Sequence, residues 1–299
     1  MSKIIVCGLS NFETACKVNF PIEYSPIEYN FFGVESAPAG VGLNLSLSFS
    51  KLSDEVCLLS YVGNDSAGDS IKKVLSDNRI TDKYLLPCIQ TPSSLILFDE
   101  TGRRKIYCDL KDMQEKSFDE KIFEDTAKNA DFLCLCNINF SRNLLPIAKR
   151  MNKKIACDVH CISDVYDEYN ADFMKYADVL FFSNEAILGR EEEFVNSVKE
   201  IYSPEIIVVG MGDKGSLLYD SLSNSFYHRP SVFTRKVVNT VGAGDALFSS
   251  FVHFYAKGMS AKDSLDLATV FASYKIGEKN ASVGFLSEEE LLKLSSTVL

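Results

Sequence analysis

The sequence predicts an α/β fold whose mainly parallel central sheet is covered on both faces, and three observations carry that reading. Short apolar, β-branched runs recur at 4–7, 56–62, 132–136, 154–159, 178–182 and 206–209. Helix-like stretches at 66–76, 118–130, 144–151 and 191–202 fall between several of them, the alternation expected of βαβ units. The 299 residues, 46% of them hydrophobic, suffice for one large core, and no repeat, low-complexity tract or long linker divides them.

Taken in order, Met1-Ser2-Lys3 leads straight into the first strand with no signal-peptide anatomy. That strand ends in Gly8-Leu9-Ser10-Asn11-Phe12-Glu13, which on its own reads as a polar turn. Two segments interrupt the alternation. Residues 14–36 carry Pro21, Tyr24, Pro26, Tyr29, Phe31 and Phe32 with little helical periodicity, and 94–109 reads as two strands around a Glu100-Thr101-Gly102 hairpin turn. Both are expected as strands grafted onto the main sheet. They would serve as a lid that excludes water, as a plain antiparallel extension, or as a dimer edge. Arg103, Arg104 and Lys105 there either approach an anion or protect an edge strand from aggregation.

Residues 43–50 alternate apolar and polar with period two, which says strand, whereas Gly40 and Gly42 just before them suggest a close-approach loop followed by a helix. In the second case the serines permit tight helix packing and the alternation is accidental.

The most informative stretch is Asn239-Thr240-Val241-Gly242-Ala243-Gly244-Asp245, because it opens directly into the apolar helical run 246–255. Small residues let a backbone close on an anion, and the first turn of a helix offers unpaired N–H groups and the positive end of its dipole. An acid facing that anion makes sense if it handles a proton, so Asp245 is the candidate base of a phosphoryl transfer to a hydroxyl. A helix with a glycine-rich entry and an N-terminal aspartate is the plainer account. His253, eight positions beyond Asp245, reads as structural.

Charge narrows the partners. With 41 acidic and 31 basic residues the net charge is −10, which repels nucleic acid and a negative membrane surface. The nine cysteines are odd in number and scattered through strand-like runs, as expected of buried thiols in the cytoplasm. Cys157-Asp158-Val159-His160-Cys161 is the one cluster that invites a metal, and no second ligand pair with zinc spacing accompanies it. No Gly-Lys-Ser/Thr phosphate loop and no His-Arg-Asp with Asp-Phe-Gly set is present.

Two stretches together resemble the ribokinase-like, or PfkB, carbohydrate kinases: Ala39-Gly40-Val41-Gly42-Leu43-Asn44-Leu45-Ser46, followed by Ser53 and Gly63, and the Asn239 to Asp245 segment. The Gly8 to Glu13 turn and the Gly212-Asp213-Lys214-Gly215 turn extend the resemblance along one domain spanning 1–299. It implies a three-layer α/β/α sandwich with a small β-strand lid, and transfer of the ATP γ-phosphate to an alcohol of a small neutral sugar, or alternatively of a nucleoside. A non-catalytic sugar-binding protein is the reading from another class. By resemblance, Asp245 is the base and Gly242, Ala243 and Gly244 form the anion hole. Asn11, Glu13, Gly40, Gly42 and Asn44 face the acceptor, and Asn184, Gly212, Gly215 and Thr240 face the nucleotide. ATP with Mg²⁺ is the implied cofactor; monovalent-cation dependence and oligomeric state stay open, a homodimer through the lid strands being one arrangement. The sequence departs from the pattern at Ser183-Asn184-Glu185-Ala186, where Glu185 serves the metal only if the loop shifts, and mildly at Asn239 and Ser250.

Overall fold

The computed structural model describes residues 1–100 and 103–299. In chain order its strands are β1 (Lys3–Cys7), β2 (Asn11–Lys17), β3 (Val34–Ala39), β4 (Glu55–Gly63), β5 (Leu85–Cys88), β6 (Ser93–Phe98), β7 (Arg104–Asp109), β8 (Phe132–Leu135), β9 (Ile155–Cys161), β10 (Val179–Ser183), β11 (Ile206–Gly210), β12 (Ser216–Asp220) and β13 (Ser225–Arg229). The helices are α1 (Val41–Lys51), α2 (Ser66–Asp77), α3 (Glu120–Ala127), α4 (Asn139–Arg142), α5 (Leu144–Arg150), α6 (Ala171–Tyr176), α7 (Glu191–Tyr202), α8 (Ala243–Ala256), α9 (Ala261–Lys275) and α10 (Glu288–Val298).

Nine strands form the central sheet in the order β13-β12-β11-β10-β9-β8-β1-β4-β5. From β11 to β5 they run parallel, and β12 and β13 complete one edge antiparallel. Both faces of the parallel strands are covered, as their unbroken apolar runs require. Ile4 and Val6 of β1 pack with Leu43 of α1, Ile71 of α2, Phe251 of α8 and Leu265 of α9. Ile5 and Cys7 face the other way, toward Phe123 of α3, Leu145 of α5, Phe173 of α6 and Val195 of α7. The result is the expected three-layer sandwich.

Residues 43–50 are helical, and the reason for their misleading alternation is burial. Every residue from Gly42 to Phe49 is buried, because α1 lies against both the sheet and α8. Ser46 Oγ donates to the Gly42 carbonyl at 2.8 Å, and Ser48 and Ser249 share a hydroxyl bond of 2.6 Å between α1 and α8. A helix with no solvent face has no polar stripe to write a 3.6-residue period.

The two irregular segments do not extend the main sheet. They build a separate four-stranded sheet, β3-β2-β6-β7, with β2 antiparallel to β3 and parallel to β6. β1 is already flanked by β4 and β8 in the main sheet, and β2, leaving its end, pairs instead with β3 and β6. β6 and β7 pair antiparallel from Ser93↔Asp109 to Phe98↔Arg104, as a hairpin does. Its tip residues Thr101 and Gly102 lie outside the described residues. Arg103 pairs with Asp99 at 2.7 Å, and Lys105 lies over the Tyr107 ring. His253 is buried in α8, 2.7 Å from Asp54, which also accepts the Ser2 amide.

Candidate active site

Strand β1 is where the sheet order reverses: the chain steps to β4 on one side and to β8 on the other. In an open parallel sheet, ligands bind beyond the carboxyl ends of the strands at such a reversal. The turn leaving β1 is pressed against the start of α1, with the Gly42 amide donating to the Leu9 carbonyl at 2.9 Å. A Cβ on Gly42 would lie 2.5 Å from the Gly8 carbonyl carbon and oxygen, so this close approach of two backbones tolerates no side chain. Gly40 is the residue that opens α1.

Across from it, α8 begins at Gly242, whose φ of 81° is left-handed. A Cβ there would meet the Ala281 Cα and carbonyl oxygen at 3.1 Å. Asn239 braces the turn twice: its Oδ1 accepts the Val241 amide at 3.0 Å and its Nδ2 donates to the Lys279 carbonyl at 2.7 Å. Ala243 N–H reaches back to the carbonyl of exposed Thr240 at 3.2 Å. The remaining first-turn amides have no acceptor four residues back.

Asp245 stands in this first turn, and Asn44 of α1 donates its Nδ2 to Asp245 Oδ2 at 2.7 Å. Burial raises the Asp245 carboxyl above its ordinary value and Asp158 adds to the rise, while the Asn44 amide and the charges of His160 and Lys275 oppose it. Asp158, Cys136 and Phe248 line the same cleft as Asp245. Asn11 opens β2, buried, with Nδ2 on Ser94 Oγ at 2.9 Å. Ser10 Oγ, Asn11 Oδ1 and Asn44 Oδ1 are all buried, and none has a hydrogen-bond partner among the described residues. Buried polar atoms are seldom left so, and one of the three belongs to Asn44, the residue whose amide also holds Asp245. Glu13 follows on β2; burial and the nearby Asp245 push its carboxyl up to about 7, with Lys275 pulling the other way. It shares a cleft with Glu35, Lys279 and Asn280.

A sequence profile described as pfkB family carbohydrate kinase matches residues 1–288. The chain belongs to that family. It is an ATP-dependent sugar kinase. A ribokinase of Dictyostelium discoideum is 25% identical over 97% of this chain and 99% of its own length. A 5-dehydro-2-deoxygluconokinase of Clostridium tetani is 22% identical over 92% of this chain and 87% of its own. Among solved structures, a microbiome-derived acarbose kinase superposes with a TM-score of 0.88 at 20% identity, covering 99% of both chains. An Arabidopsis thaliana ribokinase complexed with ribose and ATP gives 0.83 at 18% identity over 98% of each. At these identities the superpositions establish the kinase fold.

Asn184, Gly212 and Gly215, expected on the nucleotide side, follow strands parallel to β1 and so lie at the same end of the sheet as its turn. Asn184 follows β10, and Gly212 and Gly215 bracket the 3₁₀ turn between β11 and β12. Asn184 is buried, with its amide N–H on the Gly210 carbonyl and its Nδ2 on Glu191 Oε1 at 2.7 Å. Burial pushes the Glu191 carboxyl up, but the Asn184 amide and backbone amides more than offset this and hold it below its ordinary value. Glu185 points elsewhere: it is exposed and pairs with Arg104 of β7 in the four-stranded sheet at 3.2 Å.

Glu191 and Lys275 escaped the sequence reading. Glu191, at the start of the helix expected over 191–202, is the acid that Asn184 holds. Asp158 lies beside the turn that opens α8, its Oδ2 4.0 Å from where a Gly244 Cβ would sit, and its Oδ1 accepts the His160 amide. Both belong to the Cys157 to Cys161 cluster that had been weighed as a metal motif. Lys275, the last residue of α9, is fully buried. No local signal could have found it, since one lysine in a helix reads as surface.

Proposed function

We propose that this kinase moves the γ-phosphoryl group of ATP to a hydroxyl of a small neutral sugar, with Asp245 as base and the Gly242-Ala243-Gly244 turn as anion hole. The observation that carries the reading is the pairing of Asp245 with Asn44 at the first turn of α8, where Asn44 Oδ1 is buried with no hydrogen-bond partner among the described residues. Asn44 engages Asp245 Oδ2, which leaves Oδ1 to take the acceptor's proton. Ser10, Asn11 and Asn44 offer a hydroxyl and two amide oxygens to the sugar, and Glu13 a carboxyl able to accept or, near pH 7, to donate. The amides of the α8 turn face the charge that grows as the new bond to phosphorus forms.

ATP would supply the phosphoryl group, and a magnesium ion bound with it would add positive charge beside the phosphates. Asn184, Gly212, Gly215 and Thr240 are the residues we assign to the nucleotide. Glu185, engaged by Arg104, is the weaker candidate for the metal shell, and Glu191 and Asp158 fit it better because they face Asn184 and Gly244. Relatives named ribokinase, 5-dehydro-2-deoxygluconokinase and acarbose kinase support a sugar. Tyr24, Tyr29, Phe31 and Phe32, which could stack on a nucleobase as readily as cover a sugar ring, are all exposed, and none lines the cleft of Glu13. A homodimer that covers these side chains through the lid is the assembly we propose, in the cytosol, where free cysteines persist.

The test is turnover. ADP release with separate pools of sugars and nucleosides should select a sugar, and Asp245→Asn should lower kcat about 10²- to 10⁴-fold while sugar binding survives. Retained turnover in Asp245→Asn removes Asp245 as the base.

A further inference from the structure

Lysine is among the side chains least often buried, and removing an ammonium from water is costly unless its charge is used. Lys275 has no exposed surface. Its Nζ donates to one backbone carbonyl, that of Asn280, at 2.7 Å. The ammonium also sits at the C-terminal end of α9, the negative end of that helix's dipole. Exposed lysines obtain the same dipole benefit without burial, so capping alone does not explain the position.

The loop after α9 shows what the bond holds. Ala281, next to Asn280, is the residue packed on the left-handed Gly242. The preceding Lys279 carbonyl is held by Asn239, from the other side of the same turn. Asn280 Nδ2 faces Glu35 Oε1 of lid strand β3 at 3.5 Å. The bond therefore helps to hold a loop that touches the α8 turn, the irregular segment leading into it and β3.

Resting on the reading of Asp245 as base, we propose that Lys275 is a positioning residue for phosphoryl transfer. Its buried ammonium locks the 276–285 loop behind Gly242 and supplies a fixed positive charge to the acids Asp245 and Glu13. The groups that face it come from each packed element: Asp245 of α8, Glu13 of β2, Glu278 of the loop, and Arg235 from the segment after β13. Burial pulls the ammonium down to about 8, against the attraction of Asp245, Glu278 and Glu13 and with the repulsion of Arg235. The charge is thus present at neutral pH and lost just above it, while the carboxyls it favours must be ionised for Asp245 to act.

The experiment compares Lys275→Met and Lys275→Arg with the wild type in initial rates of ADP formation from pH 5.5 to 9.5, with thermal unfolding to confirm folding. Lys275→Met should lose about 100-fold in kcat, the cost typical of a misplaced reacting geometry, with acceptor KM changed little. Its acid limb should move to higher pH and its alkaline fall should vanish. Lys275→Arg, whose charge persists to high pH, should recover part of kcat and keep activity above pH 8. A folded Lys275→Met enzyme with wild-type kcat and pH profile overturns the proposal, as does a loss confined to KM. If Lys275→Met does not fold, Lys275→Arg decides: an alkaline fall identical to the wild type overturns the assignment. Asp245→Asn run alongside separates the two readings, since its retained turnover would refute the base and leave the Lys275 series to be judged on its own.

Discussion

Replacing Glu13 with Gln should stabilise the kinase at neutral and alkaline pH and change nothing near pH 4. Burial, then the neighbouring Asp245, lift this carboxyl from 4.5 to about 7, and Lys275 offsets only part of the rise. An acid whose pKa is higher in the folded state keeps a proton that the unfolded chain has released. Its favourable contribution is complete below about 4.5, declines as pH rises through the window, and is gone above about 7. At about 1.4 kcal/mol per tenfold change in proton affinity, the span amounts to roughly 3 kcal/mol. Because Glu13 is only half-buried, solvent screening reduces that to about 2 kcal/mol. Gln has the same shape and no charge at any pH, so its advantage at pH 8 corresponds to an unfolding temperature raised by about 4 °C. Paired melts of wild type and variant by circular dichroism at pH 4, 5.5, 7 and 8 measure the difference. A gap between the two that stays constant across the series refutes the assignment of a strained carboxyl. The same variant should also bind acceptor about tenfold more weakly at pH 8, since a charged hydrogen bond to a hydroxyl is lost.

Asn44→Leu removes the amide that opposes burial at Asp245, so the acid limb of kcat/KM should move to higher pH; an unmoved limb means the bond does not govern the base. Gly242→Ala places a Cβ at a left-handed residue 3.1 Å from Ala281 and should cost about 1–2 kcal/mol in urea unfolding, with kcat reduced more than acceptor KM. Wild-type stability would show the turn to be relaxed. Sedimentation equilibrium at micromolar concentration should give the mass of two chains, falling to one when Tyr24 and Phe31 are changed to Ser. A single-chain mass for the wild type refutes the lid dimer.

What the sequence determined by itself was local. The parallel strands announce themselves as unbroken apolar runs because both of their faces are buried, and the Gly242 to Asp245 turn is legible because small residues and an acid at a helix start carry their chemistry within a few residues. Tertiary structure decided the rest. The period-two pattern of α1 conceals a helix because α8 and the sheet remove its solvent face, and β2 joins a separate sheet because its partners, β3 and β6, lie elsewhere in the chain. Glu191 is tied to Asn184 only by a contact between separate segments, and Lys275 feels the charges of Asp245 and Glu13 only because the packing of α9 takes its ammonium out of water. A side chain's charge and shape are written in its own residue. Its burial and its neighbours depend on contacts between distant segments, and those set the electrostatics of the site.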